Sequence, residues 1–251
     1  MIDLKEKHIL IVGGSRGIGA ATAKLAAELG ARVSLTYASR PNPAEKLVSE
    51  IRAAGGEAKA IKAEVTSEAS MNGAVKEAID TYGKINGMVV TAGIFEGKNL
   101  EDMTEDFWDR TMEINLKGTF ISVKACLDSL KAAGKSSLVI FSSTAGQRGS
   151  DVFSAYATSK GGQIMFMRSM ARELAQYGIR SNCVAPGWTE TEMATESINE
   201  FGREEIIESI PLGRIGRPED PARAAIFLLS DAAEFITGST ITVDGGMDMR
   251  G

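Results

Sequence analysis

At 251 residues with 43% hydrophobic content, the chain is long enough to bury one sizeable core, and one domain is the default at this length. Its formal net charge is −5 and its lysines and arginines are scattered, so no basic stripe points to nucleic acid. Two widely separated cysteines and a single histidine exclude the usual zinc and redox spacings, and no metal is expected. Cys126 and Cys183 read as buried, reduced thiols, and His8 as a surface residue at a strand edge. No apolar run approaches the roughly 20 residues that span a bilayer. The N-terminus passes from charge straight into an apolar run without a signal-peptide cleavage pattern, so cytoplasmic residence is expected.

Apolar runs with strand character alternate with helical periodicity from end to end. "HILIVG" (8–13) precedes a helix over about 17–29, and "ARVSLTY" (31–37) precedes a helix over 44–55 that closes at a glycine pair. Strand 57–65 leads to helix 70–83, then strand 85–93 to helical periodicity over about 104–130. Strand 136–143, helix 154–177 and strand 179–187 follow. A polar, irregular stretch comes next, before helix 217–231 and a last strand, 239–246. Strands flanked by helices of this length imply βαβ units and a parallel sheet covered on both faces. The expectation is one doubly wound α/β domain over residues 1–251, with about seven parallel strands.

The stretch "IVGGSRGIGA" can be read in two ways. Gly13-Gly14-Ser15-Arg16-Gly17 fits the G-x-S-x-G elbow of a hydrolase, with Ser15 as nucleophile. Gly13, Gly17 and Gly19 also make a tight turn between a first strand and a helix, where free helix N–H groups suit a dinucleotide pyrophosphate. The elbow needs a histidine after the serine, and the only histidine precedes it. The phosphate turn is therefore preferred, with Ser15 and Ile18 as loop residues.

At the end of the second strand an NAD site places an acid for the ribose hydroxyls. Here Tyr37 stands in that place, followed by Ser39 and Arg40, and Arg16 lies in the glycine turn. Two guanidinium groups suit a 2′-phosphate, so NADP(H) is expected over NAD(H). Solvated loop arginines are the plain alternative.

"SAYATSKGG" puts Tyr156 and Lys160 one turn apart on a helix face. A nearby ammonium lowers the pKa of a phenol that is otherwise near 10, which equips the pair for proton transfer. Ser143 ends the strand "LVIFSS" and can reach the same strand-end crevice. Asn115, in "MEINLKGTF", is a polar residue inside an otherwise packing helix, the mark of a kink or a bound water.

With these residues the chain resembles the short-chain dehydrogenase/reductase family over essentially its whole length. The matching set is Gly13-x-x-x-Gly17-x-Gly19, Ala92-Gly93, Asn115, Ser143, Tyr156-x-x-x-Lys160, Pro186-Gly187 and "ITVDGG". "RIGRPED" and "FITGSTITVDGG" are similar to the β-ketoacyl-carrier-protein-reductase-like branch. The resemblance implies that Tyr156 is the general acid/base and that Lys160 orients the nicotinamide ribose. It further implies that Ser143 binds the substrate oxygen, and that Asn115 holds a water linking Lys160 to solvent. By the same resemblance Thr91, Ala92, Gly93, Pro186, Gly187, Thr189 and Thr191 contact cofactor, while Glu64 and Val65 line the adenine. Val12 and Val90-Thr91 depart from the family pattern at positions that brace the turn, and Glu64 stands for a usual aspartate.

The implied activity is hydride transfer between NADP(H) and a ketone or secondary alcohol. The segment at about 188–211 would be a lid over the substrate. Its many glutamates disfavour an acidic carrier protein, so a small carbonyl compound is preferred and a 3-oxoacyl carrier-protein substrate is the alternative. Trp188, Phe153 and Met193 read as an apolar pocket. A cofactor-binding regulatory protein without turnover is the alternative from another class. A homotetramer is implied by the resemblance, with the helix at about 154–177 and the C-terminal segment at interfaces.

Overall fold

The computed structural model describes residues 2–249. Among them seven strands form one parallel sheet in the order β3-β2-β1-β4-β5-β6-β7. They are β1 (His8–Val12), β2 (Arg32–Tyr37), β3 (Glu57–Lys62), β4 (Gly87–Val90), β5 (Ser136–Phe141), β6 (Ile179–Pro186) and β7 (Thr240–Val243). The central strands are mostly apolar because helices cover both faces; β1, β4 and β5 are buried at every position, including His8, Ser136 and Ser137 at the strand starts.

Period-two alternation splits the core into two layers. On one face Ile9, Ile11, Val89, Val139 and Val184 meet α1 (Gly17–Glu28), α2 (Pro41–Ala53) and α10 (Glu219–Leu229). On the other, Leu10, Val12, Val90, Leu138 and Ile140 meet α3 (Glu68–Tyr82), α5 (Gly118–Ala133) and α7 (Ser154–Glu173). Burial of each such side chain stabilises the fold by about 1.5–3 kcal/mol. Cys126 and Cys183 are buried free thiols in the second layer, and burial pushes both up to about 12.

The strand order reverses at β1, where β2 and β4 leave on opposite sides. A ligand crevice opens at such a point beyond the strands' carboxyl ends. The glycine turn follows β1 there.

Three expectations need correction. His8 is fully buried, because its ring lies between two polar partners inside the fold. Its Nδ1 is 2.9 Å from the Gly83 carbonyl and its Nε2 is 2.9 Å from Ser34 Oγ. The carbonyl can only accept, so Nδ1 carries the proton and Nε2 accepts from the serine. The long helix expected over 104–130 is two helices, α4 (Glu105–Met112) and α5, joined by a π-helical turn at Glu113–Lys117 that contains Asn115. The polar stretch after β6 is not irregular throughout. It holds two short helices, α8 (Thr195–Phe201) and α9 (Arg203–Glu208), with a small apolar cluster of their own formed by Ile198, Ile206, Ile210 and Ile215.

Candidate active site

Local chain geometry builds the crevice from the glycine turn outward. Gly13 and Gly17 have φ of +80° and +53°, a region that side-chain-bearing residues rarely adopt. Gly19 is required for space, because a Cβ there would lie 2.5 Å from the Gly13 carbonyl oxygen. Helix α1 starts at Gly17 with no side-chain cap, which leaves its first N–H groups directed at the crevice. Ser15, Arg16 and Ile18 line the crevice beside these glycines.

The departures from the family pattern are compensated. Val12 has no hydroxyl and is packed in the second core layer. Thr91 Oγ1 donates instead to the carbonyls of Val12 and Gly13, at 2.9 and 3.0 Å. Thr36, at the end of β2, accepts from Gly13 N at 3.1 Å and was not singled out from sequence. Hydrogen-bonding side chains on β2 and on the chain after β4 therefore brace the turn from both sides.

Tyr37, Glu64, Val65, Thr91, Ala92 and Gly93 line the same crevice, as do Pro186, Gly187, Thr189 and Thr191 from the end of β6 onward. Ser39 does not reach it. Arg40 precedes α2, outside the crevice lining, yet its guanidinium and that of Arg16 approach one carboxylate: Glu192 Oε2 is 3.8 Å from the former and 3.1 Å from the latter.

On the other side of the crevice, Ser143 caps the short helix α6 (Thr144–Arg148) by accepting from Ala145 N at 3.2 Å. Helix α7 is pinned to the end of β5 by two bonds. Lys160 Nζ donates to the Phe141 carbonyl at 2.8 Å, and Ser142 Oγ donates to the Lys160 carbonyl at 2.8 Å. Gly146 allows the close approach of α6, since a Cβ there would meet the Lys160 backbone at 2.6 Å. Tyr156, Lys160 and Ser143 thus share one wall of the crevice.

Asn115 lies behind that wall, fully buried. Its Oδ1 accepts from Ile94 N at 2.8 Å, and its Nδ2 donates to Ile94 O at 3.0 Å and to Ser159 Oγ at 3.1 Å. It clamps the loop after β4 onto α7. Its carbonyl already accepts from Thr119 Oγ1 at 2.7 Å and from Gln163 Nε2 at 2.8 Å. A water linking to Lys160 would share that carbonyl with two protein donors.

Burial sets the electrostatics. Desolvation lowers Lys160 to about 8 and raises Tyr156 to about 12, the latter opposed by a hydrogen bond with Ser143. The expected depression of the phenol is therefore absent from the protein alone. The ammonium nitrogen lies 5.7 Å from the tyrosine ring centroid and donates to Phe141 instead, so desolvation dominates.

Residues 12–248 match a family model described as enoyl-(acyl carrier protein) reductase. The chain is a short-chain dehydrogenase/reductase. Within this family of oxidoreductases it falls in the β-ketoacyl-carrier-protein-reductase-like branch. It is 39% identical over 247 residues to an acetoacetyl-CoA reductase from Synechocystis, covering 97% of each chain. It is 37% identical over 243 residues to a 3-oxoacyl-[acyl-carrier-protein] reductase from Staphylococcus aureus, covering 97% of this chain and 98% of the relative. Among solved structures, a dehydrogenase/reductase from Sinorhizobium meliloti superposes with a TM-score of 0.92 at 34% identity, covering 99% of this chain and 97% of the other. The reductase fold is shared throughout. Among the described residues, no helix is long and apolar enough to cross a membrane.

Proposed function

We propose that this reductase interconverts a small ketone and its secondary alcohol with NADP(H). The reading rests on one observation above all: Tyr156 and Lys160 stand one helical turn apart in the crevice wall, with Ser143 lining the same wall and the glycine turn also lining the crevice. The cradle fits a dinucleotide. Its glycines leave no room for side chains, and the uncapped start of α1 supplies N–H donors for a pyrophosphate. Gly13 to Gly19 would hold the pyrophosphate, Glu64 and Val65 the adenine, and the segment Pro186–Thr191 the nicotinamide. Arg16 and Arg40, with Tyr37 in place of an acid, favour a 2′-phosphate.

A nicotinamide, when bound in this cradle, would supply the hydride. The chain supplies the proton and the environment for the oxygen. With a pKa of about 12, Tyr156 keeps its proton at neutral pH and can deliver it to the developing alkoxide. Ser143, beside it, donates to the same oxygen. Lys160, still charged at neutral pH, stabilises the phenolate that remains. Asn115 acts through position: it fixes the loop at Ile94 and the helix turn at Ser159, and so the separation of the crevice walls.

Residues 188–211 serve as a lid, in which Trp188, Thr189, Thr191, Met193 and Phe201 face the crevice. A 3-oxoacyl thioester on a carrier protein is the second reading, favoured by what the two relatives' names say they reduce. The acids at Glu190, Glu192, Glu196, Glu200, Glu204 and Glu205 oppose an acidic carrier at the mouth. The intact Ser143–Tyr156–Lys160 group argues against a cofactor-binding protein without turnover. A homotetramer in the cytoplasm completes the reading. Self-association is supported by a groove lined by Met112, Leu116, Phe120 and Phe166 and rimmed by Asp109, Glu113 and Lys117, with Phe120 and Met165 exposed.

The test is NADPH oxidation against a panel of ketones, with Tyr156→Phe as control. The variant is expected to bind NADPH as the parent does and to lose about 10²–10⁴-fold in kcat. Near-normal turnover would overturn the mechanism.

A further inference from the structure

Beside Tyr156, four aromatic rings from four separate segments close into a circuit. Phe95 stacks on Phe153 with centroids 4.5 Å apart and planes 10° from parallel. Phe153 meets Phe201 at 6.0 Å, Phe201 meets Trp188 at 5.8 Å, and Trp188 returns to Phe95 at 6.2 Å. Phe95 also touches Tyr156 edge-on at 4.8 Å, so the circuit begins at the phenol. Spacings this short leave no hole inside the circuit. The rings form a wall, and a ligand can only lie against it.

This wall is more than packing that seats a lid. The apolar cluster of α8 and α9 is built from Ile198, Ile206, Ile210 and Ile215, and of the four rings Trp188 alone packs against it, leaving Phe95, Phe153 and Phe201 outside that cluster. Phe201 projects from α8 with 39% of its surface exposed, Phe95 and Trp188 are half-buried, and all three line the open crevice. Ile94 adds a further apolar surface to the crevice, whereas the charged lining residues Arg148, Asp151 and Glu192 are exposed. A polyhydroxylated substrate would find few polar partners at the wall and would lose hydration there. A linear acyl chain would gain burial but has no face to stack. A flat π-system attached directly to the carbonyl satisfies both demands, because aromatic pairs gain from stacked and edge-on geometry beyond the area they bury.

We propose that the substrate is an aryl ketone, or the matching aryl carbinol, with its ring on the wall of Phe95, Phe153, Trp188 and Phe201 and its oxygen at Tyr156. The assignment rests on the oxidoreductase reading above and names the substrate class of that same site.

The test uses three ketones of equal carbon count: acetophenone, cyclohexyl methyl ketone and 2-octanone. The full chain with NADPH is compared with Phe201→Leu and Trp188→Leu, so that differences in intrinsic reactivity cancel. In both variants the loss of kcat/KM for acetophenone is expected to exceed that for cyclohexyl methyl ketone by about three- to tenfold. Equal losses for the three ketones, or the greatest loss for 2-octanone, overturn the aryl assignment while leaving the reductase reading intact. Should no ketone turn over with NADPH or NADH, the reductase reading fails, and binding then decides about the wall. The chain has two tryptophans, so in Trp108→Phe the fluorescence reports Trp188 alone. Quenching at about threefold or more lower concentration by acetophenone than by cyclohexyl methyl ketone supports the wall as an aryl site, and equal quenching overturns it.

Discussion

Glu192 reaches Arg16 across the crevice, its Oε2 3.1 Å from Arg16 Nη1, and Arg40 closes on the same carboxylate from the far side. The two cations proposed to receive a 2′-phosphate therefore already share an anion carried by the lid. All three side chains are well exposed, so solvent and salt screen the contact and its effect is moderate. Glu192→Gln removes both the competitor and a like charge. It is expected to tighten NADPH binding about threefold at low salt while leaving NADH binding unchanged. Titration of both cofactors checks this, and an equal change for both would remove Arg16 and Arg40 from the cofactor site.

Lys160 titrates near 8 because it is buried, whereas Tyr156 titrates near 12. The ammonium is present below that lower value and is lost as the pH rises through it, while the phenol keeps its proton. The kcat/KM for NADPH reports groups of the free enzyme. It is expected to be level toward neutral pH and to fall through about pH 8. Lys160→Arg, whose charge persists, should remove that upper limb even if its overall rate is lower. A limb that stays in place in the variant would assign it to another group.

Truncating Asn115 to alanine leaves the part-buried Ile94 N–H and carbonyl without their partner and removes the donor to Ser159 Oγ, which keeps its own bond to the Tyr156 carbonyl. The expected cost is about 2–4 kcal/mol. For a chain of this length that lowers Tm by roughly 5–10 °C, readable by calorimetry. Turnover should fall further than stability alone explains, because the clamp sets the relative position of the two crevice walls.

Buried His8 is held below its ordinary value of 6.5, chiefly by desolvation. Its neutral form is the folded form, so unfolding takes up a proton once the pH is below that value. Stability is complete above pH 6.5 and declines as the pH drops, with a slope of up to about 1.4 kcal/mol per pH unit from this group. His8→Gln should flatten that part of the profile in urea titrations at stepped pH. A profile that keeps its slope would place the effect elsewhere.

The strands and the glycine turn were legible in the sequence because they depend on neighbours in the chain. "ILIV" (9–12) is apolar throughout, and Gly13, Gly17 and Gly19 lie within one turn. Tyr156 and Lys160 were legible for the same reason, since a helix fixes i and i+4 on one face. His8 was misread because its burial depends on Ser34 and Gly83, which no local pattern connects to it. Thr36, Gln163, Phe95 and Phe201 were missed on similar grounds. The aromatic wall joins positions 95, 153, 188 and 201, and only the folded sheet brings those segments to one place. Asn115 stands between these cases. Its helix-breaking character was readable, but its clamp on Ile94 depends on a loop about twenty residues away.

The separate apolar cluster beneath α8 and α9 has a consequence for how such a chain can change. Ile198, Ile206, Ile210 and Ile215 share no layer with the sheet, so this segment can be exchanged or remodelled without unpicking the strands that carry Tyr156 and Lys160. A lineage could acquire a new substrate preference by altering a few dozen residues while inheriting its chemistry unchanged.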